Sequence, residues 1–90
     1  MIVLSAKLTF HIPHADSLKD KRQVSRSLIE KARQKFNASI AEVGTQDLYR
    51  TLTVGIAVVS GDANHAKQSL DGIISFMDCN AEAELTEVEV

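Results

Sequence analysis

From Ile2 to Ile12 apolar and polar positions alternate. Ile2, Leu4, Ala6, Leu8, Phe10 and Ile12 share one side, and Val3, Ser5, Lys7, Thr9 and His11 share the other. A period of two is that of a strand with one face buried. Pro13 cannot donate to a ladder and ends the strand, and His14-Ala15-Asp16 forms a short loop. The period then changes. From Ser17 to Phe36 no Gly or Pro intervenes, and at about 100° per residue Leu18, Ser25, Leu28, Ile29, Ala32 and Phe36 fall on one helical face. Ser17 lies three residues before Asp20, close to a capping box, and Asp20 suits the positive end of a helix. Asn37 is the candidate C-terminal cap.

Three further elements follow. Ala38 to Val43 reads as a strand ending at Gly44, and Gly44-Thr45-Gln46-Asp47 has turn chemistry. Tyr49 to Ser60 alternates again, with Leu52, Val54, Ile56 and Val58 on one side and Thr51, Thr53, Gly55, Ala57 and Val59 on the other. Ser60-Gly61-Asp62-Ala63-Asn64 is a loop with two candidate N-caps for a second helix to about Asp78, whose inner face holds Ala66, Leu70, Ile73, Ile74 and Met77. Cys79-Asn80 breaks it. Glu82 to Val90 is a last strand, with Thr86, Val88 and Val90 expected to face inward.

The order β-α-β-β-α-β, with one-sided strands and amphipathic helices, predicts an α+β, ferredoxin-like split βαβ sandwich: a four-stranded antiparallel sheet with both helices on one face. The last strand becomes an edge, and Glu84, Glu87 and Glu89 discourage edge pairing. The topology gathers His14, Asp16, Ser17, Lys19, Lys21, Arg22, Gln46, Asp47, Arg50, Asp78 and Cys79 at one end.

Length sets the scale: 90 residues read as one domain, residues 1–90, burying about 60–65% of the unfolded chain's surface. Hydrophobic and charged contents of 44% and 24% are ordinary for a globular protein. One cysteine permits no internal disulfide and fits a reducing cytoplasm. The N-terminal run lacks the pattern of a signal peptide, and no stretch approaches the length of a membrane span. A cytoplasmic protein without a membrane partner is expected.

Charge changes the picture most. The overall −2 conceals an asymmetry. Residues 17–36 carry seven of the ten basic residues against only Asp20 and Glu30, a net +5, whereas residues 37–90 carry Arg50 and Lys67 against nine acids, a net −7. On the helical wheel Lys19, Arg22, Arg26 and Arg33 cluster within about 60° beside the apolar stripe, and Lys31 and Lys35 lie on the other shoulder. Only Arg26 has an acid, Glu30, at i+4 spacing. Two readings compete: a solvated face neutralised by acids from elsewhere, or a surface for an anionic partner. In the second, Lys19, Lys21, Arg22, Arg26 and Arg33 contact the anion, and His14, Gln46, Asp47 and Arg50 form a polar loop cluster beside them.

Other chemistries find less support. His11 and His14 stand at i,i+3 with Cys79 expected at the same end, but His65 falls at the opposite end and a four-ligand metal site is hard to assemble. Neither a metal nor another cofactor is expected. Cys79 lacks a reactive-cysteine motif and reads as a buried thiol. There is no Gly-rich phosphate loop, and HIPHADS lacks the glycine-bearing anion cradle of acylphosphatase-like proteins. The third strand offers no aromatic ring for stacking bases, so RNA, if bound, meets helix side chains through its phosphates. The sheet's open face is small and semi-polar, suited to a second copy or to water.

Four runs carry a family resemblance: HADSLKDKR from His14 to Arg22, KFNASIAEV from Lys35 to Val43, QDLYR from Gln46 to Arg50, and GIAVVS from Gly55 to Ser60. Together they resemble the YlxP-like family of small bacterial proteins of unknown function, over nearly the whole chain. Gly44-Thr45 stands where the family has an acidic residue and a histidine, and Tyr49 where tryptophan is common, so no role for that histidine carries over. The resemblance implies a ferredoxin-like fold and a cytoplasmic location. It also implies a link to RNA or the ribosome, because the family's genes often neighbour translation and ribosome-maturation genes. It implies no catalytic residues. The expectation is a noncatalytic module that binds RNA or a ribosomal particle through its first helix; the alternative is a module that binds a protein partner or forms a homodimer.

Overall fold

In a computed structural model describing all 90 residues, six elements follow in the expected order. They are β1 (Ile2–His11), α1 (Leu18–Lys35), β2 (Ser39–Glu42), β3 (Thr51–Ser60), α2 (Ala63–Asn80) and β4 (Glu84–Glu89). The strands form one antiparallel sheet in the order β2-β3-β1-β4. α1 packs along β2 and α2, and α2 packs on β1 and β3. This is the ferredoxin-like arrangement. The alternation in β1 and β3 decides which face is covered: Leu8, Phe10, Leu52 and Val54 are fully buried beneath the helices with Leu28, Ala32, Ala66 and Met77.

Capping fixes where α1 starts. Ser17 Oγ accepts the Asp20 N–H, an orphan donor of the first turn, at 3.1 Å, and the Asp20 carboxylate reaches back to accept the Asp16 N–H, one residue before the cap, at 3.0 Å. The other end corrects the sequence reading. Asn37 does not take a left-handed cap conformation; the helix closes at Phe36, whose N–H donates to Ala32 O at 2.9 Å. The Phe36 ring meets Phe76 of α2 edge-on at 5.5 Å, with the Lys35 ammonium 4.9 Å from the Phe76 centroid.

β4 supplies a second correction. Phe10 pairs with Leu85, but Leu8 pairs with Val88, and the register shifts between Thr9 and Phe10. The extra residue is a β-bulge, which reverses side-chain phase along the bulged strand. Leu85 therefore joins Val88 on the helix side, whereas Thr86 is exposed and its hydroxyl donates to Thr9 O at 3.1 Å. Val88 and Val90 are themselves exposed, at 45% and 84%. Cys79 is exposed rather than buried, because α2 runs on to Asn80 and places it on the polar side.

Candidate functional site

The seven basic residues between Ser17 and Phe36 have three different fates. Lys21 is the first. At about 100° per residue it falls between Leu28 and Ala32 on the apolar stripe, and its side chain is 1% exposed. Its ammonium lies 2.6 Å from Glu42 Oε2 and donates to Thr45 O. Thr45 O also accepts the Leu48 N–H at 3.1 Å, and Thr45 Oγ accepts the Thr53 N–H at 2.9 Å. A buried cation thus ties α1 to β2 and to the turn after it. Lys21 is not available to an outside anion, and its place among the surface candidates is withdrawn. The sequence carried the signal in its wheel position, which lies inside the core stripe.

Arg33 and Lys35 make the second group. Arg33 donates through Nε and Nη2 to Ile40 O, the Nε bond being 2.9 Å. β2 is an edge strand, so this carbonyl points away from β3, and the guanidinium caps it. Gln46 Nε2 contacts Glu42 O, the next outward carbonyl, at 3.4 Å. Both side chains close the edge. Lys35 lies over the Phe36 and Phe76 rings.

Lys19, Arg22 and Arg26 are the third group, with Lys31 apart on the other shoulder. All three are exposed. The ion pairs of the molecule are Lys7–Glu89, Lys21–Glu42 and Arg50–Asp16, so none of the three has an acidic partner. They line a shallow depression of about 510 Å³ with Gln23, Ser27 and Glu30, and no hydrophobic side chain contributes. A second depression of about 320 Å³ runs between α1 and β2, where Arg22 and Arg26 meet Arg33 and Glu42. Arg22, Arg26 and Glu30 line both.

The loop candidates do not join this row. Arg50 Nε donates to Ala15 O at 3.1 Å, its Nη2 lies 3.8 Å from Asp16 Oδ1, and its own carbonyl accepts the Ile12 N–H at 2.9 Å. It braces the β1–α1 loop and lies over the Tyr49 ring at 5.5 Å. Gln46 serves the β2 edge. His14 and Asp47 are exposed, with no side-chain hydrogen bond. The polar end of the fold is thus largely a brace for α1.

On the opposite side, the open sheet face carries a concavity of about 510 Å³ around Ser5, Ala41, Val43, Gly55 and Ala57. Val3 and Val59 are register partners beside it, 56% and 65% exposed.

Fold and surface together define a class: a small ferredoxin-like α+β protein whose first helix presents a cationic, partner-free row. Within that class the family is known. The family model described as "Protein of unknown function (DUF503)" matches residues 3–90, and the chain belongs to this family. It is 38% identical to the "Uncharacterized protein YlxP" of Bacillus subtilis (strain 168) over 72 residues, covering 80% of this chain and 78% of that protein. The YlxP-like resemblance is therefore correct. No helix is long and apolar enough to cross a membrane.

Proposed function

We propose that this protein is a cytoplasmic, noncatalytic binding module that meets RNA or a ribosomal particle through the exposed row Lys19, Arg22 and Arg26. One observation carries the reading. Of the basic residues on α1, Lys21 and Arg33 are engaged by the fold itself, whereas these three stand together with no acid paired to them. A contiguous cationic patch attracts a polyanion and repels other basic surfaces. The gene neighbourhood of YlxP-like proteins supports a polyanion linked to translation.

Co-sedimentation with ribosomal particles from lysate, across a salt series, tests it. Binding should weaken as salt rises and should vanish in the Arg22→Glu/Arg26→Glu variant. Absence of binding at low salt, or binding indifferent to salt and to the variant, removes the reading.

The open face favours a second reading. Val3, Val43 and Val59 are exposed around the same concavity, a surface that a protein partner or a second copy would cover. Sedimentation equilibrium separates the self-associating form: a monomer at high concentration, in low and high salt alike, rules it out.

A further inference from the structure

We propose that the α1 row takes the phosphate backbone of double-helical RNA, as a three-cation contact by Lys19, Arg22 and Arg26 with Gln23 and Ser27 between them. This rests on the reading above and narrows it to one ligand class and one footprint.

The lining chemistry selects the ligand. Single-stranded RNA is held largely by stacking its bases on aromatic rings or guanidinium planes. No ring lines the α1 depression, and Arg22 and Arg26 supply its only guanidinium planes. Phe36 and Phe76 are packed edge-on against each other, and Tyr49 lies under Arg50. Beside the Glu30 carboxylate, the row offers cations for phosphate and, from Gln23 and Ser27, an amide and a hydroxyl. These are the groups that contact 2′-hydroxyls and phosphates across an A-form minor groove.

The helix geometry sets the footprint. Lys19 to Arg26 spans about 10 Å at 1.5 Å per residue. The cations that would extend it are held elsewhere: Lys21 by Glu42, Arg33 by Ile40 O, and Lys35 over its aromatic pair. Three phosphates are therefore neutralised, not six or more.

The row also runs against its own helix. Lys19 sits in the first turn beside Asp20, where the macrodipole disfavours a cation, and no acid is ion-paired with it. Local rules are broken where a function needs it. A bound phosphate removes the conflict, because it satisfies the lysine and suits the positive helix end.

Fluorescence anisotropy with a labelled 16-base-pair RNA duplex, the matched DNA duplex and the single RNA strand tests this. The RNA duplex should bind tightest. At about 0.9 per phosphate, three contacts give a log–log salt slope near 2.7, or about 40-fold weaker binding between 50 and 200 mM salt. Lys19→Gln, Arg22→Gln and Arg26→Gln should each lower the slope by roughly one, and Lys31→Gln should leave it unchanged. The free Lys19→Gln protein should melt no lower than the parent, which separates lost contact from lost fold. Tighter binding to the single strand, a slope of about six or more, or an equal effect of Lys31→Gln overturns the proposal. If no duplex binds while ribosomal particles still do in a salt-sensitive way, this inference fails and the broader reading stands; if neither binds, both fall.

Discussion

Replacing Lys21 by methionine separates the cation that belongs to the fold from those that face outward. Methionine keeps the unbranched stem within the packed stripe and deletes only the ammonium. What remains is the Glu42 carboxylate, 19% exposed and 2.6 Å from the position Nζ held, with Thr45 Oγ at 3.4 Å as its other partner. Breaking a buried ion pair on one side costs about 3–5 kcal/mol. Water reaches Glu42, and Thr45 O retains its bond from Leu48, so the expected loss lies lower, at about 2–3 kcal/mol. At about 4–8 °C per kcal/mol this lowers Tm by about 10–20 °C. A domain of this size holds roughly 5–13 kcal/mol in total and stays folded at room temperature. Urea unfolding measures the loss from the midpoint, given an unchanged slope. The double variant Lys21→Met/Glu42→Gln should recover at least about 1 kcal/mol, because the stranded charge is gone. The RNA salt slope of Lys21→Met should match the parent's. A loss below about 0.5 kcal/mol, the range of plain surface substitutions, or a reduced salt slope, would refute the placement of Lys21 inside the fold.

Other perturbations test neighbouring parts of the argument. Gly44 has φ +82° and nothing within 4 Å of an added Cβ, so Gly44→Ala carries a backbone cost alone, about 1–2 kcal/mol in a thermal melt, and Gly44→Asn should cost less. Ser17→Ala removes the acceptor for Asp20 N–H and should cost about 1 kcal/mol, with faster hydrogen exchange confined to the first turn of α1. Arg22→Glu/Arg26→Glu breaks no ion pair and should melt within a few degrees of the parent; a collapse in Tm would show that the row supports the fold. Val59→Lys on the open sheet face should leave both stability and RNA binding unchanged, and weakened RNA binding would move the interface to that face.

Much of this architecture was legible because each long element repeats a single period. β1 and β3 alternate without interruption, and the α1 stripe holds for five turns, so strand faces and helix order followed directly. The misses share a physical form: one local event overrode a regular pattern. In β4 the bulge opposite Thr9 and Phe10 moved the inward phase from Thr86 to Leu85, and nothing in Glu82 to Val90 marks where the extra residue sits. Asn37 suits a C-cap by type, but Phe36 and Phe76 close the end of α1 by packing. Lys21 reads as surface by its charge, but its position lies in the core stripe. A long aliphatic stem can lie in a core stripe when a carboxylate waits at its tip, and Glu42 is contributed by a strand twenty-one residues later. Arg33 and Arg50 were legible as cations but not as braces, since backbone carbonyls leave no trace in a sequence.

The charge asymmetry bears on which reading of the row survives. A solvated face neutralised from elsewhere in the chain requires the acids of residues 37–90 to lie near α1. Topology separates the three acids of β4 from it. α1 packs along β2, whereas Glu84, Glu87 and Glu89 sit on β4 at the far edge of the sheet. They pair with His11, Thr9 and Lys7, which belong to the open face. Three strand spacings of about 4.8 Å already place them about 14 Å away along the sheet, and the sheet lies between. The screening length at physiological salt is about 8 Å. The one acid from that half in an ion pair with an α1 cation is Glu42, and it is spent on the buried Lys21. Lys19, Arg22 and Arg26 therefore keep their charge toward solvent, on the side opposite the acidic edge. Such a dipolar molecule presents one end to a polyanion and turns the other away, which favours a single docking orientation over indiscriminate binding.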